Sequence, residues 1–453
     1  MDARHQSDEM PPLKRPKNEQ ETPTEGETDR LSSLPDGLLQ HLLSFMPAHD
    51  AVRTCLLARR WRHLWKSAPA IHFTNGKWLR SANRFNQFVD RVLRIRRKGA
   101  PLESCDFQLE ETELYSNEFV EANEQHLSSW IRRALCRKVR VLRFRLGFDV
   151  KVSLPNMPLV SHHLTTLELH CVNTNESVLN FSGCPALVDL IMMVCTINSE
   201  KMSSSSLKHL KMMCIVFDDP HRTRMSLPNL VSLELDNVSG RVPLLESMPS
   251  LATAIVGIVC EPSNRCKMGG SADCGDDACE GCRYYYGSDD DRRHCVILGS
   301  LSQATNLELS AYPEMFVFKR DLNWAPTFNK LKTLVLNEWF VTDDFGALIW
   351  FLQHSPLLEK LSLQITKEHK VSKEIAGRYG PVEQSVASDY LELVEIKCQD
   401  VDEMVVAVLK ILYVSGIPLE KIHIHKYSRL GWIKFACMGF SPNGAFGSPQ
   451  LWI

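Results

Sequence analysis

The sequence predicts an α/β chain: an N-terminal three-helix cluster, then a long parallel β-solenoid interrupted by one irregular cysteine-rich insertion. Three observations predict it. A hydrophobic frame, L-x-x-L-x-L, recurs through most of the chain at steps of 20 to 33 residues. A compact run of helical periodicity precedes it, between residues 34 and 66. Six of the fifteen cysteines crowd into residues 260–295, where the frame breaks off.

At 453 residues the chain is about three times the ~150 residues expected of one domain, so several units or one repeat array are required. A hydrophobic fraction of 44% and a charged fraction of 23% argue against wholesale disorder and against a membrane-embedded chain. The net charge of −2 supplies no global drive toward nucleic acid or anionic lipid. Residues 1–28 are rich in Glu, Pro, Lys and Thr and poor in bulky apolar groups, which predicts a disordered tail. Within it, Pro12-Leu13-Lys14-Arg15-Pro16-Lys17 reads as a nuclear localisation signal, so a nuclear and/or cytoplasmic location is expected. The start of the chain has no apolar signal region, and its longest apolar stretch, Leu251 to Cys260, is far short of the ~18 residues of a membrane span. Free thiols are expected in such a reducing setting, and the sequons at Asn175, Asn180 and Asn237 read as chance matches.

The helices come first. Apolar residues at 38, 39, 42, 43 and 46 give helical spacing after Pro35, which suits a first turn, and Pro47 stops that helix. A second helix is expected from His49 or Asp50 to Cys55, and a third from Ala58 to Lys66 with Trp61, Leu64 and Trp65 on one face. So small a cluster gains stability from a partner surface. Between Arg53 and Lys98 stand 13 Lys or Arg and one acid, Asp90; Phe85-x-x-Phe88-Val89-x-x-Val92-Leu93 is an amphipathic helix whose basic side is its wet side.

The repeat frame reads Val141-x-x-Phe144-x-Leu146, Leu164-x-x-Leu167-x-Leu169, Leu187-x-x-Leu190-x-Met192, Leu207-x-x-Leu210-x-Met212 and Leu230-x-x-Leu233-x-Leu235, at steps of 23, 23, 20 and 23 residues. That spacing is leucine-rich-repeat spacing: each unit donates one strand to a curved parallel sheet and buries its leucines against its neighbours. The frame resumes at Leu331, Leu358 and Leu391 with steps of 27 and 33, long enough for helices, one expected over Asp343 to Gln353. Residues alternating with the leucines face the other side of the sheet. Thr166, Glu168 and His170, Asp189, Ile191 and Met193, His209, Lys211 and Met213, and Ser232, Glu234 and Asp236 are therefore expected on the concave surface. A mixed polar ladder of this kind suits recognition of a protein target.

Cys260, Cys266, Cys274, Cys279, Cys282 and Cys295 lie in a Gly- and Asp-rich insertion with a C-x4-C-x2-C core. Four thiolates at such spacing, Cys266, Cys274, Cys279 and Cys282, can close a tetrahedral zinc site; a flexible insertion with unliganded thiols is the alternative. His423 and His425 alternate with Ile422 and Ile424, so the histidines take the solvent side of a strand whose isoleucines face the core. Nucleotide-binding, zinc-protease and serine-hydrolase motifs are all missing, and no enzymatic activity is expected.

The run Asp29-Arg30-Leu31-Ser32-Ser33-Leu34-Pro35-Asp36-Gly37-Leu38-Leu39, with Met46-Pro47-Ala48-His49-Asp50-Ala51-Val52-Arg53-Thr54-Cys55 and Ala58-Arg59-Arg60-Trp61-Arg62-His63-Leu64-Trp65, resembles the F-box. The whole chain resembles plant F-box proteins with leucine-rich repeats, and Leu391 to Ile396 with Pro418 to Ile424 resembles their C-terminal FBD region. The resemblance implies 29–75 as F-box, 76–380 as repeats with the insertion at 260–295, and 381–453 as FBD-like. It implies a non-catalytic, substrate-recruiting subunit of an SCF-type ubiquitin ligase, whose F-box docks on a Skp-type adaptor and through it a cullin, while the repeats hold an unknown target protein. By position, Leu34, Pro35, Leu38, Leu42, Val52, Leu56 and Trp61 are the expected adaptor contacts, Leu39, Leu43 and Trp65 close the cluster, and Arg59, Arg60 and Arg62 suit an acidic partner. The alternative is a basic nucleic-acid-binding protein using residues 53 to 151, with the insertion as its zinc module.

Overall fold

The computed structural model describes residues 31, 33–74, 82–97, 99–100, 102–109, 117–146, 152–154, 156–218, 222–258, 295–311, 316–337, 345–365 and 389–427. The tail with its basic patch and the four candidate zinc cysteines lie outside the described residues.

Two short helices, α1 (Asp36–Leu43) and α2 (Ala48–Arg53), open the chain, each entered through a proline, Pro35 and Pro47. Proline lacks the N–H that a first turn leaves unbonded anyway, so each marks a start at no cost to the helix. The expected third helix over Ala58 to Lys66 is instead a pair of 3₁₀ turns, Arg59–Arg62 and Leu64–Ser67, following another at Thr54–Leu56. Leu64 and Trp65 are buried all the same, because the tighter turns aim both at the helices behind.

A parallel sheet follows: β1 (Ala70–Thr74), β2 (Ser104–Leu109), β3 (Val141–Leu146), β4 (Thr166–His170), β5 (Asp189–Met193), β6 (His209–Met213), β7 (Ser232–Gly240), β8 (Thr253–Ile258), β9 (Asn306–Ala311), β10 (Thr333–Leu336), β11 (Lys360–Ile365), β12 (Leu393–Cys398) and β13 (Ile422–Lys426). Each strand pairs with the next in chain order. Register is set by the core: Leu142, Leu167, Leu190, Leu210, Leu233, Ala254, Leu307, Leu334, Leu361 and Val394 stand in one buried row. A one-residue slip would move this row to the solvent face.

The frame was legible wherever leucine filled it. It missed β1 and β2, whose inward pairs are Ile71/Phe73 and Cys105/Phe107, β8 with Ala254/Val256, and β9, where Ala304 leads Leu307 and Leu309. The sheet therefore starts inside the 29–75 segment, at Ala70, and runs past residue 380 through β12 and β13, so neither boundary interrupts it.

Between β3 and β8 the 20–23-residue units contain little helix. Short strands make a second side, Val152–Ser153, Val172–Asn175, Thr196–Asn198 and Val216–Phe217, and a third side, Lys201–Ser203, Arg224–Ser226 and Leu244–Leu245. At the first corner Cys171, Val194, Cys214 and Asn237 adopt left-handed backbone, φ 57°, 55°, 54° and 53°. The amides of Cys171, Val194 and Cys214 donate to the carbonyls of Met193, Met213 and Asp236 on the neighbouring strand, at 2.9 Å each, and so hold the corner in place. Gly240 is left-handed too, φ 78°, and a Cβ there would land on the Phe217 carbonyl oxygen. Gly240→Ala is expected to lower stability by about 2–4 kcal/mol, left-handed strain adding to overpacking, as measured by denaturant unfolding.

Later units carry helices. The one expected over Asp343 to Gln353 begins at Gly346 and ends at His354, entered through left-handed Phe345 rather than an acidic cap. Glu403–Val414 is capped as its sequence allows, Asp402 accepting from the amides of Met404 and Val405 at 3.1 Å each. On β13 the two histidines are exposed as expected, but so is Ile424: this strand pairs with β12 on one side and packs little beneath, among the described residues.

Around β1–β3 the core is aromatic. Phe73, Phe107 and Phe144 occupy matching inward positions and stack with centroids 5.1 and 4.8 Å apart. Trp130, from the helix α4 (Asn117–Cys136), lies parallel to Phe107 at 5.4 Å, and Phe85, from α3 (Ala82–Ile95), meets Trp130 edge-on at 5.5 Å.

Candidate functional site

Helix α1 is apolar on two sides. Leu39 and Leu43 point inward and are fully buried, as their spacing required. Leu38 and Leu42, displaced by about 100° per residue, point out, at 52% and 45% exposure. Phe45 just beyond the helix is 70% exposed, and Leu56 and Leu57 on the next turn are 83% and 72% exposed. Large apolar side chains left this open in a small unit mark a surface that is covered in use.

Of the seven expected contact residues, Pro35, Leu38, Leu42 and Leu56 are exposed, while Leu34, Val52 and Trp61 are half-buried and pack on the core of the cluster. Phe45 and Leu57 were missed. The signal for Phe45 was present, since it continues Leu38 and Leu42 at i+3. Arg60, expected to serve an acidic partner, is bound within the cluster: its Nε and Nη2 donate to Asp36 Oδ1 at 2.9 and 2.7 Å, which ties the 3₁₀ turn to the first turn of α1. Arg59 and Arg62 are exposed.

The concave residues fall on one sheet face, in three rows. Thr166, Asp189, His209 and Ser232 form the first, Glu168, Ile191, Lys211 and Glu234 the second, and His170, Met193, Met213 and Asp236 the third. Thr166 Oγ1 donates to Asp189 Oδ2 at 3.2 Å, and Lys211 Nζ to Glu234 Oε1 at 2.9 Å. Ile191, Met193 and Met213 make a half-buried apolar island among these charges.

The rows extend back toward α1 through residues sequence reasoning did not single out: His72 on β1, Asp106 on β2, and Arg143 and Arg145 on β3. The alternation about Phe144 already placed both arginines on this face. Together they form a ladder. Arg143 reaches Asp106 Oδ1 at 3.1 Å and Glu168 Oε2 at 3.0 Å; Arg145 Nε donates to Glu168 Oε1 at 2.9 Å; His170 Nε2 lies 2.8 Å from the same oxygen. Glu168 is thus buried under its partners rather than displayed. Burial alone would raise its pKa, but the Arg145 hydrogen bond and the charges of Arg145, His170 and Arg143 outweigh it and hold the carboxyl low. Burial, aided by Arg145, holds His170 below the usual imidazole value.

The basic segment offers less free charge than its sequence suggests. Arg96 is buried and donates to the Ala68 carbonyl at 2.7 Å; Arg133 pairs with Asp90 at 3.2 Å; Arg137 donates to the Leu93 carbonyl at 2.9 Å; Arg143 and Arg145 are in the ladder. Arg84, Arg91 and Arg94 remain exposed on α3.

Cys171, Cys195 and Cys398 are buried, as small hydrophobes are. Burial pushes Cys295 up to about 12 and raises Cys105, Cys184 and Cys398, which leaves each of these thiols protonated and a poor nucleophile. Among the described residues no group of three or more His, Cys, Asp or Glu could hold a metal ion, and no helix is long and apolar enough to cross a membrane.

Residues 31–71 match the F-box domain family. The chain is 27% identical to an F-box/LRR-repeat protein of Arabidopsis thaliana over 383 residues, 74% of this chain and 69% of that one. It is 28% identical over 382 residues to the meiotic F-box protein MOF of Oryza sativa subsp. japonica, covering 77% of this chain and 74% of the relative. An F-box/FBD/LRR-repeat protein of Arabidopsis thaliana is 25% identical over 263 residues, 51% of this chain and 60% of the relative. With the F-box matched to the helical cluster, and the similarity continuing across the parallel solenoid, the chain carries an F-box domain and is similar to plant F-box proteins with leucine-rich repeats, one of which also has an FBD region.

Proposed function

We propose that the chain is the target-recruiting, non-catalytic subunit of an SCF-type ubiquitin ligase, acting in the nucleus and/or cytoplasm. Its F-box docks on a Skp-type adaptor, which links it to a cullin, and its concave face holds the protein to be ubiquitinated. What supports the docking half is the apolar face that the fold leaves open, Leu38, Leu42, Phe45, Leu56 and Leu57. Each returns about 1.5–3 kcal/mol on full burial, so together they are of the order of what association costs in lost freedom. Arg59 and Arg62 beside the face favour an acidic partner.

The target half is supported by the three-row face of β4–β7, where the Ile191–Met193–Met213 island supplies apolar contact and His209, Lys211, Glu234 and Asp236 supply direction. The nucleic-acid alternative is weakened by the arginines that are spent inside the protein.

Purified protein is expected to capture a recombinant Skp-type adaptor in a pull-down, and Pro35→Ala combined with Leu38→Ala is expected to remove that capture while circular dichroism and the melting temperature of the repeats stay as they were. Capture undiminished by the double change would refute the docking assignment.

A further inference from the structure

His72 sits where the helical cluster meets the solenoid. It lies on β1, the strand with which the sheet begins, and its backbone forms a bridge with Pro47, the residue that opens α2. Its ring is held from two sides. Nε2 lies 2.7 Å from the carbonyl oxygen of Ser44, just past the end of α1, and Nδ1 lies 2.9 Å from Asp106 Oδ2 on β2.

Both partners can only accept. A carbonyl carries no proton, and Asp106 already accepts from Ser104 Oγ at 2.9 Å and Arg143 Nη1 at 3.1 Å, as an ionised carboxylate does. Only the imidazolium, with an N–H on each nitrogen, donates to both at once. A neutral ring keeps one N–H and turns a lone pair toward the other oxygen. The hydrogen bond to the carboxylate is charge-assisted and is the stronger of the two, so the neutral ring keeps Nδ1–H and gives up Ser44. The bond lost is the one that reaches into the helical cluster.

We propose that His72 and Asp106 are positioning residues that form a proton-dependent clasp, fixing the end of α1 against the sheet when the ring is charged and loosening it when the ring is neutral. The proposal rests on the function proposed above, because the angle at this joint decides where a target held by the sheet stands relative to the adaptor. Asp106 is also the first acid of the ladder that runs through Arg143 to Glu168 and His170, so the clasp and the target-facing residues share one set of charges.

The charged surroundings act as follows. The hydrogen bond to Asp106, opposed by burial and aided by the carboxylate's charge and the Ser44 carbonyl, raises the His72 pKa; Arg143 on β3 works weakly against it. Burial would raise the Asp106 pKa, but the bonds from His72 and Ser104 and the charge of Arg143 outweigh it, and the carboxyl stays ionised throughout. The titratable groups of α2, His49, Asp50 and Arg53, pair among themselves, at 3.3 and 3.8 Å. A group whose folded pKa is raised contributes stability that is complete below its unfolded value and lost as pH rises through the folded value. The clasp is therefore closed in mild acid and opens as pH increases past the raised His72 pKa.

The test is hydrogen–deuterium exchange on the full chain, read on peptides spanning residues 41–48 and corrected for intrinsic exchange, between about pH 6 and pH 9. Wild type is expected to lose protection there by roughly tenfold as pH rises, the effect of losing one hydrogen bond. His72→Gln, which cannot donate in both directions, is expected to show low protection at every pH. Asp106→Asn is expected to move the step to lower pH, and His72→Arg, a permanent cation with several donors, to keep protection at the alkaline end. A wild-type profile flat in pH, or a step that persists unchanged in His72→Gln, would overturn the clasp. Adaptor capture is measured separately on the same proteins: failure of wild type to bind the adaptor counts against the proposed function alone, and failure of the exchange step counts against the clasp alone.

Discussion

Phe107→Ala is expected to lower the stability of the chain by about 4–5 kcal/mol, enough to shift the denaturant midpoint of the N-terminal half visibly. Few other positions combine so many partners. The side chain is fully buried and is stacked by Phe73 on one strand, Phe144 on the next and Trp130 from α4, at 5.1, 4.8 and 5.4 Å. Truncating a buried phenylalanine costs about 3–5 kcal/mol, and the three stacked rings place this position at the upper end of that range. Relaxation is limited because the neighbours above and below are themselves fixed by sheet register. In a solenoid the damage propagates to adjoining units first, so exchange protection should fall most in β1, β2 and β3 and least in β10 to β12. A loss below about 2 kcal/mol would show that the stack is not the keystone of this half.

The second large effect is on binding with little effect on folding. Leu56→Asp is expected to weaken adaptor binding by about a hundredfold or more, because a carboxylate placed in an apolar interface must be desolvated without a partner. Leu56 is among the most exposed apolar side chains of the cluster, so the same change should alter unfolding free energy by no more than about 0.5 kcal/mol. Titration of the adaptor by calorimetry, alongside a urea melt, separates the two. Unchanged affinity would remove Leu56 from the docking face and shift attention to Phe45 and Leu38.

Both expectations rest on features of unequal legibility. The open apolar side of α1 is legible because the helix carries more leucine than one buried side can use: Leu39 and Leu43 account for the core, and Leu38 and Leu42 are surplus. Phe45 escaped because it falls just past the helix, where periodicity stops being counted. The solenoid was readable from β3 to β7 and from β10 to β12, since leucine repeats there at fixed spacing. β1 and β2 were not, because their inward positions hold phenylalanine, isoleucine and cysteine at irregular intervals, with helices between. The ladder of His72, Asp106, Arg143, Glu168 and Arg145 was half visible. Strand alternation put Glu168 and both arginines on the right face, but which charge meets which depends on register between strands that are 23 or more residues apart. The 3₁₀ turns at Arg59–Arg62 and Leu64–Ser67 keep the side-chain spacing of a helix over so few residues that periodicity could not tell them from one.

One pairing in the sheet carries an implication for how such chains diversify. β8 and β9 match residue for residue from Thr253 with Asn306 to Ile258 with Ala311, as adjacent repeats do, although the chain between them is far longer than in a neighbouring unit. Closing a longer connection costs only about 0.6 kcal/mol for each doubling of its length. The seam between these strands is thus a tolerant port: sequence can be lengthened or exchanged there while the polar face of β4–β7 and the helical cluster, both earlier in the chain, keep their geometry, letting one scaffold acquire new surface chemistry without refolding.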